Sequence, residues 1–239
     1  MQTLSEMMKT DGAVKSKVED CGDLYAELLK KRREDNKQFN EQIAKRKDSD
    51  ALESIIGRSG IMPLHQGCTI NNFTATTPEQ AFAKKFASDY IVSFGINKGC
   101  GFIFSGTSGT GKNHLSAAIC NNLMQRRKSC LIITVSELMI KMRKCYGKDP
   151  EYSEDQFIQN LINFDLLVLD EIGLQRGSDN EKLVLNQVID QRISHFKPTG
   201  MLTNLNAQAI NDILGVRIMD RMRMNGGAWV PFEWASYRK

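Results

Sequence analysis

The sequence predicts an α/β fold in which a parallel β-sheet is covered by helices on both faces. Three short apolar runs, 101–105, 131–135 and 166–169, have the length and composition of strands buried on both faces. A glycine-rich turn and a helix-like segment follow the first run, and two consecutive acidic residues follow the third. Buried strands that alternate with helices are typical of a parallel sheet.

The glycine-rich turn has the composition of a phosphate-binding loop, or P-loop. It comprises Gly106, Thr107, Ser108, Gly109, Thr110, Gly111, Lys112 and Asn113, and His114 follows at the start of the helix. Glycines let the backbone fold tightly, so that successive N–H groups and the helix dipole converge on one anion. Lys112 would reach the β- and γ-phosphates. These nine residues therefore predict a nucleoside-triphosphate site, against the alternative of a chance glycine-rich loop.

Asn113 departs from the usual P-loop pattern. Ser or Thr is expected after the lysine, because its hydroxyl ligates magnesium. An amide oxygen can also ligate a hard cation or hold its water. We therefore predict that Asn113 still serves a Mg²⁺ site, with altered metal geometry and slow turnover.

Asp170 and Glu171 follow the third apolar run, 166–169. Asp170 would lie at the carboxyl end of a buried parallel strand, where ligands bind in open α/β sheets. We predict that Asp170 holds Mg²⁺ through water and that Glu171 is the general base for an attacking water. The alternative is a strand followed by two solvated acids, but the P-loop upstream favours a hydrolytic site.

The segment 198–204 predicts a short strand that ends in two polar residues. Asn204 is the first candidate for a residue that positions water near the γ-phosphate, and Thr203 is the second. By pattern alone the signal is weak, because Thr-Asn after a strand is usually a turn.

Two arginines form the last candidate element. Arg217 and Arg221 are four residues apart, so they lie on one face of a helix. An arginine supplied by a neighbouring subunit could stabilise charge on the γ-phosphate. The alternative is a solvated basic face or an ion pair with Asp220.

Residues from about 55 to 239 resemble the DnaC-type replicative helicase loaders of bacteria and prophages, which are AAA+ ATPases related to the initiator DnaA. The matching stretches are Arg58-Ser59-Gly60-Ile61, Pro63-Leu64-His65, 109–115, 131–135, 165–173, 198–204, 219–222, and Trp234 with Ser236-Tyr237-Arg238. The resemblance implies an AAA+ P-loop NTPase fold, a three-layer sandwich with a minimal C-terminal lid. Related IstB-type transposition ATPases share this core, but the first two stretches and the last favour the loader.

The resemblance also implies roles for individual residues. Asn204 takes the sensor-1 position, Arg221 resembles the arginine finger that acts on a neighbouring subunit, and Arg217 is an accessory in the same interface. Arg238, almost at the C-terminus, resembles the sensor-2 arginine that contacts nucleotide in its own subunit.

Composition argues against a membrane-spanning or secreted protein. The chain has 239 residues, 41% of them hydrophobic, and a net charge of +4, which permits a nucleic-acid partner without requiring one. Six scattered cysteines without a Cys-x-x-Cys pair predict reduced thiols. No apolar run is long enough to span a membrane and no secretory signal is present, so we expect a cytoplasmic protein.

Three segments follow one another along the chain. Residues 1–55 are dense in charges of both signs with a sparse apolar stripe, which predicts a helical extension that needs a partner surface rather than a flexible charged tail. Residues 56–77, interrupted by glycines and proline, are predicted to be a linker. Residues 78–239 form the predicted ATPase domain, which begins with a helix over 78–95. The resemblance implies that 1–55 grips the helicase.

The segment after the second predicted strand is a candidate DNA contact. Lys141 and Lys144 lie in a predicted helix, 136–144, and Tyr146 and Lys148 follow it. A single-strand binder uses cations for phosphates and a ring for base stacking. By pattern alone a solvated helix end is favoured, whereas the resemblance implies DNA binding, because loaders and initiators of this group contact single-stranded DNA here.

Residues and resemblance together predict an ATPase that uses ATP and Mg²⁺, self-associates through its ATPase interface, and loads a hexameric DnaB-type helicase onto single-stranded DNA. Two alternatives stay open. One is an IstB-like DNA-remodelling ATPase that assists a transposase or recombinase. The other is a nucleotide-dependent binding adaptor with little hydrolysis, which the Asp170-Glu171 pair argues against and Asn113 leaves open.

Overall fold

The structure is a computed structural model. The residues that it describes are 30–31, 34, 59–96, 99–146, 152–173, 179–224 and 226–238, with the backbone only at 179 and 224. The chain divides into two units, 1–51 and 52–239. Lys30, Lys31 and Glu34 are helical, and the rest of the predicted extension, 1–55, lies outside the described residues.

Within the described part of the second unit, the chain forms five β-strands and seven α-helices. The strands are β1 (Phe102–Gly106), β2 (Cys130–Thr134), β3 (Leu166–Ile172), β4 (Thr199–Thr203) and β5 (Ala228–Phe232). The helices are α1 (Pro78–Ser93), α2 (Lys112–Gln125), α3 (Val135–Lys144), α4 (Glu154–Asn163), α5 (Asp179–Ser194), α6 (Ala207–Leu214) and α7 (Val216–Met224), and a short 3-10 turn covers Pro63–His65. Each strand and helix predicted within residues 78–239 is present with small shifts at its ends, and β3 continues through both acidic residues. None of these helices is long and apolar enough to cross a bilayer.

The five strands form one parallel sheet in the order β2-β3-β4-β1-β5. β4 lies in the middle, with Gly200 opposite both Phe102 of β1 and Val168 of β3. Parallel strands end at the same edge of a sheet, so the carboxyl ends of β1, β3 and β4 are neighbours. The residues that follow these three strands are thereby brought together.

Helices cover both faces of the sheet and form the predicted three layers. Phe102 and Phe104 of β1 face a core shared with α1 and α2, whereas Ile103 between them faces a core shared with α3 to α7. The alternation follows from the two-residue side-chain period of a strand. Because both faces are buried, the strands are apolar at successive positions.

Capping residues determine where several helices begin. Thr77, Thr134 and Ser153 each form a capping box, at the starts of α1, α3 and α4 respectively. Helix α2 differs, because its N-cap is Gly111 and makes no side-chain cap. The first N–H groups of α2 therefore stay available to an anion.

Residues 59–77 belong to the second unit and pack against its strand β2 and helix α2, so they are not a free linker as predicted. Ser59 O accepts a hydrogen bond from Ile132 N of β2 (3.0 Å). The amide of Asn121 on α2 donates to three carbonyl oxygens within 65–68, at 2.9–3.1 Å, and Phe73 is 3% exposed. Glycine and proline prevent regular structure in this segment, but its buried side chains fix it against α2.

Arg192 on α5 is fully buried and ties the end of α4 to the start of β4. Its guanidinium donates to three carbonyl oxygens within 161–164, at 2.6, 3.2 and 3.1 Å. It also donates to Pro198 O (2.6 Å) and Thr199 Oγ1 (3.0 Å). Burial lowers the pKa of Arg192 to about 9, so the side chain stays charged at neutral pH and satisfies the last carbonyls of α4.

We expect Arg192→Met to lower the free energy of unfolding by about 3–5 kcal/mol, because several buried carbonyl oxygens lose their donor. Urea denaturation measures this loss. Arg126→Met is the matched control, since the Arg126 guanidinium, at an exposed position, makes one hydrogen bond to a described residue, the carbonyl oxygen of Ile91. We expect a loss of about 1 kcal/mol there. Equal losses in the two variants would contradict the role given to Arg192.

Candidate nucleotide-binding site

A cavity of about 450 Å³ lies at the carboxyl edge of the sheet. Its wall comes from the segment 64–74, the P-loop with the start of α2, the ends of β3 and β4, and the C-terminal residues. The predicted site residues that line it are Ser108, Gly109, Gly111, Lys112, Asn113, His114, Asp170, Glu171, Asn204 and Arg238. Residues predicted from four separate stretches of sequence therefore meet at one place.

Lys112 joins the P-loop to the end of β4. Its ammonium donates to Gly106 O (2.6 Å) and Thr107 O (2.7 Å) in the loop and to Asn204 Oδ1 (2.9 Å). Lys112 is 7% exposed. Burial lowers its pKa, and the nearby Asp170 carboxylate opposes that shift. A buried ammonium at this edge supplies the positive charge that nucleotide phosphates require.

Two P-loop glycines let neighbouring segments close on the loop. Gly109 and Gly111 have φ angles of 79° and 92°, in the left-handed region that favours glycine. A Cβ on Gly109 would lie 2.0 Å from Ser236 Oγ, and one on Gly111 would lie 2.7 Å from a ring carbon of Phe73. Glycine at both positions is therefore needed for the C-terminal residues and the segment 59–77 to pack against the loop.

The C-terminal residues hold the P-loop from outside. Trp234 Nε1 donates to Thr110 O (3.1 Å), and Tyr237 N donates to Gly109 O (2.9 Å). Arg238 follows directly and lines the cavity. The end of the chain is thus part of the site, which composition and periodicity would not indicate.

Asn113 is tied to the acid on β3. Its Nδ2 donates to Asp170 Oδ2 (2.7 Å), and Glu171 N donates to Asp170 Oδ1 (2.7 Å). Asp170 is 9% exposed. Burial raises the pKa of Asp170, and these hydrogen bonds and Lys112 oppose the shift. Carboxylate and amide oxygens are both ligands that Mg²⁺ accepts, so the two residue types fit the predicted metal, although it is the amide nitrogen of Asn113 that contacts Asp170 here.

Glu171 has a φ angle of 59°, which is uncommon for a residue with a side chain. Its side chain is exposed and lines the cavity next to Asp170. Backbone strain of this kind collects at functional sites. An exposed carboxylate on this wall has the access to water that a general base needs.

The two polar residues at the end of β4 do different things. Asn204 accepts the hydrogen bond from Lys112 described above. Thr203 is 1% exposed, and its hydroxyl donates to Ile172 O (2.7 Å) and accepts from Leu205 N (3.0 Å). Thr203 thus joins β4 to β3, and Asn204 stays the candidate for positioning water.

One wall of the cavity was not predicted from the sequence. The lining residues on this wall are Leu64, His65, Asn72, Phe73 and Thr74, which lie in the segment predicted as a linker. The ring of His114 lies within hydrogen-bond distance of Asn72 Oδ1 (2.8 Å). Phe73 could have indicated this wall, because an aromatic residue among polar ones in a loop often makes a buried contact.

Comparison with known proteins identifies the chain's relatives. The family model of the IstB-like ATP binding protein matches residues 38–230. The replicative helicase loader DnaC of Escherichia coli (strain K12) is 48% identical over 187 residues, which cover 78% of this chain and 76% of the relative. The chain belongs to the IstB-like ATP-binding proteins, and to their DnaC type. The replicative helicase loader DnaC of Buchnera aphidicola subsp. Schizaphis graminum (strain Sg) is 39% identical over 213 residues, 89% of this chain and 86% of the relative.

Solved structures share the fold of this DnaC-type chain. A crystal structure of the DnaC helicase loader matches with a TM-score of 0.63 at 19% identity and covers 71% of this chain and 99% of that one. The replication initiator DnaA bound to AMPPCP and single-stranded DNA matches with a TM-score of 0.61 at 19% identity, over 73% of this chain and 51% of that one. These matches confirm the predicted AAA+ α/β architecture.

The predicted interface arginines of this DnaC-type chain lie on α7 and are not among the described residues that line the cavity. Arg221 Nη1 forms an ion pair with Asp190 Oδ1 on α5, and Arg217 Nη2 lies 4.0 Å from the same oxygen. Asp220, the alternative partner, pairs instead with Arg223 (3.8 Å). Both arginines therefore share one face of α7, as predicted, and that face meets α5.

The predicted DNA contacts lie around the end of α3. Lys141 and Lys144 are in its last turn and Tyr146 follows, whereas Lys148 lies outside the described residues. Tyr146 is 56% exposed, and its hydroxyl donates to Glu154 Oε2 (2.7 Å). This hydrogen bond raises the pKa of Tyr146 to about 12. The hydroxyl is thus anchored while much of the ring faces solvent.

The Asn113–Asp170 hydrogen bond predicts that the effect of Mg²⁺ on ATP affinity depends on Asn113. Asn113→Leu removes both the donor to Asp170 and the amide oxygen, and hydrogen bonds to charged groups contribute about 1.5–3 kcal/mol. We expect the gain in ATP affinity on adding Mg²⁺ to fall by about tenfold or more, measured by equilibrium titration with Mg²⁺ and with EDTA. Asn113→Ser is the control, because its hydroxyl can ligate Mg²⁺. An undiminished Mg²⁺ effect in Asn113→Leu would contradict the assignment.

Proposed function

We propose that this chain loads a ring-shaped replicative helicase onto single-stranded DNA, and that ATP binding and hydrolysis control its contacts. What carries the proposal is a cluster of two hydrogen-bonded pairs that line one cavity, Lys112 with Asn204 and Asn113 with Asp170. The chain that contains it is 48% identical to a named replicative helicase loader. The cluster fits a nucleotide, and the similarity to the loader supports what the nucleotide is used for.

The residues that line the cavity suit hydrolysis of ATP as well as binding. Mg²⁺, when bound, would neutralise charge on the β- and γ-phosphates. Asp170 and the amide oxygen of Asn113 would hold it, and Lys112 would face the same phosphates. Glu171 would take a proton from the attacking water, and Asn204 would orient that water. Glu171 lines the cavity with an exposed side chain, which suits this role.

Turnover in the proposal needs a second copy of the chain. Arg221 would reach the γ-phosphate held by a neighbouring subunit, with Arg217 beside it, while Arg238 would contact nucleotide in its own subunit. The place of Arg238 on the cavity wall and of Arg221 outside it supports this division. A head-to-tail contact of this kind builds rings or helical arrays.

Loading would use two separate binding surfaces, one for the helicase and one for single-stranded DNA. The extension 1–55 would bind the helicase, in line with its sparse apolar stripe. Lys141, Lys144, Lys148 and Tyr146 would bind single-stranded DNA, with the cations on phosphates and the ring on a base. The exposed ring of Tyr146 supports this assignment.

A second candidate function is assistance to a transposase, which the match to the IstB-like family model favours. Size-exclusion chromatography with a purified hexameric DnaB-type helicase and ATP separates the two. We expect the full-length chain to co-elute with the helicase and residues 52–239 alone to elute apart from it. If the full-length chain ignores the helicase but stimulates strand transfer by a transposase, the loader function is wrong.

A base stacked on Tyr146 would make the ring, and not its hydroxyl, the binding group. We expect Tyr146→Ala to weaken single-stranded DNA binding by about 1–3 kcal/mol, and Tyr146→Phe to bind like the unchanged chain. Fluorescence anisotropy with a labelled oligonucleotide measures both. If both variants lose the same DNA affinity, the Tyr146 hydroxyl and its hydrogen bond to Glu154 are responsible. If neither loses affinity, the ring does not bind DNA and its role is in packing.

A further inference from the structure

Asp190 on α5 faces both arginines of the predicted subunit interface. Its Oδ1 forms the ion pair with Arg221 Nη1, and the same oxygen lies 4.0 Å from Arg217 Nη2. One carboxylate oxygen therefore lies between two guanidinium groups that stand one helical turn apart on α7.

The pair with Arg221 is better protected than an ordinary surface ion pair. The side chains of Arg221 and Asp190 are 33% and 36% exposed, whereas those of Arg223 and Asp220, an ion pair on the same helix, are 64% and 59% exposed. Partial burial weakens screening by water, so the half-buried pair holds its geometry more firmly. The contact engages Nη1, and a guanidinium carries five N–H donors in a planar fork. One edge of the fork can thus be fixed while another meets a phosphate.

Helices α7 and α5 also contribute apolar side chains to one core. The buried side chains of Ile218, Met219 and Met222 on α7 belong to the same apolar core as Leu185 and Ile189 on α5. Apolar burial on this scale holds two helices together without a charge pair. The two helices are therefore held by more than the ion pair, and the ion-pair contacts of the Asp190 carboxylate with described residues are those to the two arginines.

We infer that Asp190 is a positioning residue for the trans-acting arginine. It fixes the direction of the Arg221 guanidinium before the neighbouring subunit arrives, and Arg217 shares the same carboxylate as a second cation of the interface. The inference rests on the proposed function, in which Arg221 stabilises charge on a neighbour's γ-phosphate. A fixed guanidinium loses less conformational freedom when the interface forms, so the carboxylate contributes to turnover without touching nucleotide.

Steady-state ATP turnover of the full-length chain with single-stranded DNA tests the inference. We expect Asp190→Asn to lower kcat about tenfold, the scale on which loss of an orienting partner acts. We expect the KM for ATP to stay within about twofold of its original value. The reason is that the nucleotide on which Arg221 acts is bound in the cavity of the neighbouring subunit, away from Asp190. Asp190→Glu should recover much of the loss. Asp220→Asn is the matched control, since it removes an exposed ion pair on the same helix, and it should leave kcat unchanged.

Mixing subunits distinguishes positioning in trans from a structural effect. Asp190→Asn subunits keep an intact cavity, and Lys112→Ala subunits keep an intact Arg221 but lose the buried ammonium. We expect a mixture of the two to turn over ATP faster than either alone, because Lys112→Ala subunits present a positioned arginine to Asp190→Asn cavities. No gain on mixing, or a higher kcat in Asp190→Asn, would overturn the inference.

Arg221→Ala separates this failure from failure of the proposed function. If Arg221→Ala abolishes turnover while Asp190→Asn is unaffected, the arginine acts in trans but Asp190 does not position it. If Arg221→Ala itself turns over ATP normally, the trans-acting arginine is wrong and the inference falls with it. Glu171→Gln provides the baseline for background hydrolysis in every assay.

Discussion

The Lys112 ammonium is the point at which the sheet, the P-loop and the candidate catalytic residues meet. Two loop carbonyls and the Asn204 amide oxygen surround it, and they stabilise a charge that burial alone would disfavour. Asn204 can reach the ammonium only because β4 lies between β1 and β3 in the strand order. The nucleotide site is therefore a consequence of topology, since another order would place the amide beside a different strand.

Opposite charges around the cavity are coupled. Burial lowers the pKa of Lys112 and raises that of Asp170, and each group opposes the shift of the other. Asn113 adds a direct link between the P-loop helix and β3, where the usual Ser or Thr would present a hydroxyl. A phosphate at Lys112 and a cation at Asp170 would each stabilise the charge already present there, so binding of one favours the other.

The sheet, its helices and the residues at the strand ends could be predicted from the sequence, because buried strands and a P-loop are local patterns. The cavity wall at 64–74 could not, since glycine and proline in that stretch indicate irregular backbone and say nothing about what it packs against. The roles of Arg192 and Asp190 could not be predicted for a related reason. Each is one charge among many on a helix, and only the tertiary structure shows that Arg192 is buried among carbonyls and that Asp190 faces two arginines. Pattern made Arg217, Arg221 and Tyr146 candidates with open alternatives, and the family resemblance favoured the roles given to them.

The role of this site depends first on whether the buried Lys112 ammonium binds nucleotide. Equilibrium titration of the full-length chain with a fluorescent ATP analogue at millimolar Mg²⁺ measures this, with Lys112→Ala compared against Lys85→Ala, whose ammonium pairs with Asp89 on the exposed side of α1. We expect Lys112→Ala to lose at least about tenfold in affinity, on the scale of a lost charged hydrogen bond, and Lys85→Ala to bind like the unchanged chain. Equal affinity in the two variants, or no binding by the unchanged chain, would contradict this role.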